Sequence, residues 1–170
     1  FKLAKKHGKK VFSVVGNMSI ALERRDFMKS IDCFVCNIQE AGLLFFDDYS
    51  EKTPEEMVEI LSAKVIAAQI PSMIVTMGGK GAVYADLQGN KGICPAKKVQ
   101  VKDTTGAGDC FCGSALSKLL DYGLDFENLD EEKCMDILQF ANAAASLATA
   151  NYGAIPAMPT NEQIAALINS

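Results

Sequence analysis

The chain has 170 residues, 49% of them hydrophobic, enough to bury one core and too few to favour two domains. Its 21 acidic residues outnumber 17 lysines and arginines, so it lacks the broad cationic surface that nucleic acid or an anionic membrane would need. No apolar run reaches the length of a membrane span and the six cysteines follow no disulfide spacing, which predicts a reducing, cytoplasmic setting and small-molecule chemistry.

The opening FKLAKKHGKK is basic and partly helical in pattern, without the apolar core or small-residue cleavage site of a signal peptide. It reads as the tail of a helix stopped at His7-Gly8, with Lys9-Lys10 leading into a buried strand from Val11 to Val15. With no initiator Met, the chain is expected to be a piece of a longer protein. Ala21 to Lys29 has a helical pattern, and Cys33 to Cys36 reads as a second buried strand. Cys33 and Cys36 form a CxxC pair, but an offset of three on a strand sends the thiols to opposite faces, against a shared metal or redox role.

Thr53-Pro54-Glu55-Glu56 combines an N-cap, a first-turn proline and a capping-box Glu, and opens a helix that runs to about Ala68, with Pro71 marking the exit. Met73 to Met77 is a third buried strand. After Gly78-Gly79-Lys80-Gly81 the chain resumes as Ala82 to Asp86, turns at Gln88-Gly89-Asn90 and returns as Gly92 to Pro95, a hairpin-like edge. A helix follows from Gly106 to about Tyr122. Asp130, Glu131 and Glu132 start an Ala-rich helix to about Asn151, expected to be buried on several sides, and Thr160 with Gln163 caps a last one before Ile164 to Ile168. Strands interleaved with helices predict one α/β domain over residues 1–170, with a largely parallel sheet and helices on both faces.

In Asp103-Thr104-Thr105-Gly106-Ala107-Gly108-Asp109, small residues sit where a loop turns into a helix, so a ligand can approach closely. A helix N-terminus presents unpaired N–H groups and a positive dipole end, which suit a phosphate or the charge that develops during phosphoryl transfer. Asp109 has two readings here: a general base for an attacking hydroxyl, or an acid that complements the helix dipole. Gly78-Gly79-Lys80-Gly81 lacks the spacing of a Walker-type loop and the Ser or Thr after Lys, so Lys80 reads as a turn lysine.

DTTGAGD followed by Cys110-Phe111-Cys112-Gly113 resembles the second signature of the PfkB/ribokinase family of carbohydrate and nucleoside kinases. Val75-Thr76-Met77-Gly78-Gly79-Lys80-Gly81-Ala82 looks like that family's TxGxxG segment and Asn37-Ile38-Gln39-Glu40 like its NxxE motif. Phe140-Ala141-Asn142-Ala143 and Gly153-Ala154-Ile155-Pro156 resemble its C-terminal nucleotide-side elements. The resemblance implies a ribokinase-like three-layer α/β/α fold and an ATP-dependent sugar kinase of which this chain carries the ATP-binding part. The N-terminal half, which supplies most sugar contacts, and the lid, through which many members form homodimers, would be absent.

Carried over position by position, Asp109 would be the catalytic base, with Gly106, Ala107 and Gly108 the anion hole. Glu40 would act on Mg²⁺ through water, and Asn37 would lie near the nucleotide phosphates. Thr76, Gly78, Gly81, Thr105 and Asn142 would line the nucleotide. Asp103, Thr105, Ala148, Asn151 and Gly153 occupy positions that hold a monovalent cation, K⁺, in some members, while Ala157 departs from the serine some of them place there. Val15-Gly16-Asn17 keeps only the Asn of a family Asp-Pro-Asn run. The Gly153 to Thr160 segment looks most like fructokinase-type members, making fructose the leading acceptor. Nucleoside or sugar-acid kinases, or a nucleotide-binding module without activity of its own, remain alternatives.

Overall fold

A computed structural model of the chain describes residues 1–14, 18–124 and 129–170. The apolar runs form five strands, β1 (Phe12–Val14), β2 (Cys33–Asn37), β3 (Ser72–Thr76), β4 (Ala82–Asp86) and β5 (Lys91–Cys94), joined in that order into one sheet. β1, β2 and β3 are parallel, whereas β4 runs antiparallel to both β3 and β5. The sheet is therefore mixed. The reason is connection length: Met77 to Gly81 is too short for the crossover a parallel strand needs, so β3 reverses into the β4–β5 hairpin.

The helices are α1 (Lys2–Lys6), α2 (Met18–Glu23), α3 (Ile38–Phe45), α4 (Pro54–Ala68), α5 (Ala107–Asp121), α6 (Glu131–Thr149) and α7 (Asn161–Ile168). Side chains alternate across the strands and build two cores. Phe34, Cys36, Met73 and Val75 pack with Leu44 of α3 and with Met57, Leu61 and Val65 of α4. Cys33, Val35, Ile74 and Tyr84 pack with Phe111 and Leu119 of α5 and with Leu138 of α6. Each fully buried Leu or Phe contributes about 1.5–3 kcal/mol, so these cores hold the predicted α/β/α layers together. Cys33 and Cys36 indeed lie on opposite faces.

α6 is buried on more than one side: Leu138 and Ala141 face the sheet-side core, while Ala143, Ala144 and Ala148 join Ile164 of α7. Its small side chains allow that double packing. Both capping boxes expected from sequence form, Thr53 with Glu56 and Thr160 with Gln163. The helix expected from Ala21 to Lys29 is instead two pieces, α2 and a 3-10 turn at Arg25–Ser30. α1 is tied to the sheet by the buried carboxylate of Asp32, which accepts from Lys5 Nζ at 3.0 Å and from the Val11 N–H at 2.7 Å. The end of the predicted first strand and the Val15-Gly16-Asn17 run lie outside the described residues.

Candidate active site

The loop before α5 turns on Gly106, the N-cap, with φ of 77°. That left-handed conformation favours glycine, and a Cβ there would lie 2.8 Å from Ala154 Cβ, so the chain itself also requires the missing side chain. Of the helix's first amides, Ala107 N–H donates back to the Thr104 carbonyl at 3.2 Å. No acceptor among the described residues meets the N–H groups of Gly108 or Asp109. The Gly106 N–H likewise meets no acceptor among the described residues, so of the amides assigned to the anion hole only that of Ala107 is spent within the turn. Gly108 has open space where a side chain would stand.

The loop is braced from behind by Asp103. Its two carboxylate oxygens accept from the Thr105 N–H and the Gly153 N–H, each at 2.9 Å. Those bonds, Thr105's first, stabilise the charged form and hold the carboxyl below the ordinary aspartate value. The N–H groups of Lys102 and Asp103 both donate to the Thr149 carbonyl at the end of α6. The loop is thus pinned to the C-terminal segment before any ligand binds.

Asn37 and Glu40 form a reciprocal capping box at the start of α3. Asn37 Oδ1 accepts from the Glu40 N–H at 2.9 Å, and Glu40 Oε2 from the Asn37 N–H at 2.8 Å. The pair is held at the carboxyl end of β2, beside Thr76 at the end of β3, where open α/β sheets bind ligands. Asn37, Glu40, Thr76, Gly106, Gly108 and Asp109 all line one cleft of about 180 Å³. Its floor includes the thiol of Cys112, pushed up to about 11 by burial, with Asp109 and Glu40 adding to the effect.

Sharing Thr76 and Gly108 with it is a larger cleft of about 580 Å³, within the range of small-molecule sites. Gly78, Gly81 and Asn142, the positions the resemblance assigns to the nucleotide, line it together with Ala107, which it assigns to the anion hole. Asn142 is buried and its Nδ2 donates to the Cys94 carbonyl at 2.9 Å, fastening the end of β5 to α6 and so shaping the cleft wall. Gly81 has φ of 103°, and a Cβ there would collide with the Cys94 carbonyl. Its glycine is thus demanded by the hairpin as well as by any ligand.

Asp103, Thr105, Ala148, Asn151 and Gly153 are absent from both linings; Thr105 was expected to line the nucleotide, but its neighbour Thr104 stands in the larger cleft instead. The carboxylate and carbonyl oxygens of these five residues are the hard donors a monovalent cation takes. The Asp103 oxygens already accept one N–H each, and the Ala148 carbonyl accepts from the Asn151 N–H at 3.3 Å, with a second lone pair left on each oxygen. Lys97, Lys98, Ser146 and Thr149 also line the larger cleft and were not anticipated. The signal available was the unpatterned Pro95-Ala96-Lys97-Lys98-Val99 stretch between hairpin and α5. Lys80, read as a turn lysine, donates to the Lys52 carbonyl at 3.0 Å. No helix among the described residues is long and apolar enough to cross a membrane.

A layered α/β sheet with an amide-presenting helix start, an acid beside it and a nucleotide-sized cleft defines a ribokinase-like kinase fold. Residues 1–161 match the pfkB family carbohydrate kinase, and the chain belongs to that family. It is similar to probable fructokinase-4 of Arabidopsis thaliana, 38% identical over 134 residues, 79% of this chain and 39% of that protein. Guanosine-inosine kinase of Exiguobacterium acetylicum is 32% identical over 149 residues, 87% of this chain and 46% of that protein. Among solved structures, Arabidopsis thaliana ribokinase complexed with ribose and ATP superposes with a TM-score of 0.80 at 29% identity, over 99% of this chain and 50% of that one. The chain thus spans half or less of the length of each of these relatives.

Proposed function

We propose that this chain supplies the ATP site, anion hole and catalytic base of an ATP-dependent sugar kinase, with fructose as the leading acceptor. The observation that supports it most is the meeting of Asn37, Glu40, Thr76, Gly108 and Asp109 in one cleft that opens into the nucleotide-sized one. ATP would lie along the larger cleft, with its γ-phosphate at the start of α5. The acceptor hydroxyl oxygen bonds to the γ-phosphorus and its proton passes to the Asp109 carboxylate. The bond from the γ-phosphorus to the β,γ-bridging oxygen breaks, and ADP leaves.

The Gly108 and Asp109 N–H groups would hold the charge that develops on the transferring phosphoryl oxygens, and they need no rearrangement to do so because Asp103 has already fixed the loop. Exposure of Asp109 leaves its carboxylate accessible to a hydroxyl. Bound Mg²⁺ would neutralise charge on the β- and γ-phosphates, and Glu40, with a carboxylate oxygen outside the capping box, would hold it through water. K⁺ would be held by oxygens of Asp103, Thr105, Ala148, Asn151 and Gly153.

A nucleoside acceptor is the second reading, favoured by the guanosine-inosine kinase match over 87% of the chain. Calorimetry with MgATP, beside a coupled ADP-release assay over a panel of sugars and nucleosides, tests both. Binding with turnover on fructose supports the first reading, turnover on nucleosides alone supports the second, and binding without turnover leaves a nucleotide-binding module. No binding of MgATP overturns the proposal.

A further inference from the structure

We propose that Lys98 is a phosphate-binding residue of the larger cleft, supplying the mobile positive charge that draws and holds the polyphosphate of the nucleotide. The inference rests on the reading of that cleft as the ATP site.

The charge inventory of the two adjoining clefts carries it. The smaller one holds the acids, Glu40 and Asp109. Among the described residues the larger one is lined by no acidic residue, and its only charged side chains are Lys97 and Lys98. A ligand that fills it meets positive charge alone, from these lysines and from the start of α5. Such a field suits a polyanion.

The two lysines are not equivalent. Lys97 Nζ donates to the Ile168 carbonyl at 3.1 Å, a bond to the end of α7 that fastens the segment between β5 and α5. That segment is also fastened at its beginning, where Asn142 Nδ2 holds the Cys94 carbonyl, and at its end, where the Lys102 N–H meets the Thr149 carbonyl. Lys98 stands between these anchors on a fixed backbone. It makes no hydrogen bond or ion pair among the described residues. Its ammonium is exposed and free to swing onto an anion, and a charge-assisted bond to phosphate gains from the neutral lining around it. Sequence gives no cue to this division of labour, since neighbouring lysines in an unpatterned stretch look alike.

The test is the affinity for MgATP of the protein carrying this chain, measured by calorimetry at low and high salt for wild type, Lys98→Ala and Lys98→Arg. Lys98→Ala is expected to bind about five- to tenfold more weakly at low salt, and the difference should close at high salt because exposed charges are screened. Lys98→Arg should retain most of the affinity, and all three proteins should melt together. Equal affinity of Lys98→Ala and wild type would overturn the proposal. So would a loss that is the same at both salt concentrations, since side-chain packing and not charge would then be at work. Failure of the wild type to bind MgATP at all would instead overturn the nucleotide site.

Discussion

Gly106 and Gly108 are two residues apart in the same loop-to-helix turn, yet replacing each with alanine should have opposite effects. At Gly106 the backbone has φ of 77°, and a methyl group would sit 2.8 Å from Ala154 Cβ and 3.2 Å from Ala154 Cα. The left-handed conformation costs a non-glycine residue about 1–2 kcal/mol, and overpacking adds about 1–3 kcal/mol. A loss near 3 kcal/mol is therefore expected, or roughly 6–12 °C in melting temperature for a chain of this size. At Gly108, inside α5, nothing lies within 4 Å of the added methyl. Alanine there should raise stability by about 0.4–1 kcal/mol, because it restricts the unfolded chain and suits a helix. That methyl enters the space both clefts share, so affinity for MgATP should fall about tenfold, or about 1.4 kcal/mol. Thermal unfolding with calorimetry separates the two. Equal destabilisation by both variants, or wild-type ATP affinity in Gly108→Ala, would refute the assignment of Gly106 to packing and Gly108 to ligand access.

Asp32→Ala should cost about 2 kcal/mol by leaving the Val11 N–H and the Lys5 ammonium without their shared acceptor, and α1 should become accessible to protease before the rest of the chain. Limited proteolysis that cuts wild type and variant alike would count against this anchor. The buried thiols of Cys33, Cys112 and Cys134 are pushed up by burial to about 12, 11 and 11. The folded protein thus keeps these protons after the unfolded chain has lost them. Their contribution is fully present below the ordinary thiol value of about 8.5 and declines as pH rises towards the folded values, by about 1.4 kcal/mol per thiol per pH unit. Denaturant titrations at pH 7.5 and 9.5 should show that decline, and replacing Cys33 with Ala should reduce it. Replacing K⁺ by Na⁺ should lower turnover if the oxygens of Asp103, Thr105, Ala148, Asn151 and Gly153 hold a cation; an unchanged rate would rule out that dependence.

Much of the fold was legible because its signals are local. Thr53-Pro54 and Thr160 with Gln163 announce helix starts through capping chemistry, and Met73 to Met77 announces a buried strand through composition. No span was assigned to α3, because its start at Asn37 is a capping box inside a motif that also suits phosphate and metal binding. The same two residue types suit either purpose, so pattern alone cannot separate them. The break at Arg24 was hidden for another reason: a 3-10 turn and an α-helix share nearly the same apolar spacing over so short a run.

In the site, the sequence placed the turn into α5 at Gly106 but could not show which amides are spent within it. The bond from Ala107 N–H to the Thr104 carbonyl depends on the left-handed turn at Gly106, and the clasp of Asp103 on Gly153 joins residues far apart in the chain. Such contacts leave no local pattern. The same holds for Gly81, whose φ and proximity to the Cys94 carbonyl become visible only once the hairpin is closed.

The central claim is that Asp109 takes the proton of an acceptor hydroxyl as the γ-phosphate of ATP is transferred. Its most direct test is Asp109→Asn in the protein that carries this chain, with turnover on the best acceptor and MgATP affinity measured on the same preparation. Asparagine keeps the shape and cannot take the proton, so turnover should fall by about 10²–10⁴-fold while MgATP binds with near wild-type affinity. Wild-type turnover in Asp109→Asn would contradict the account.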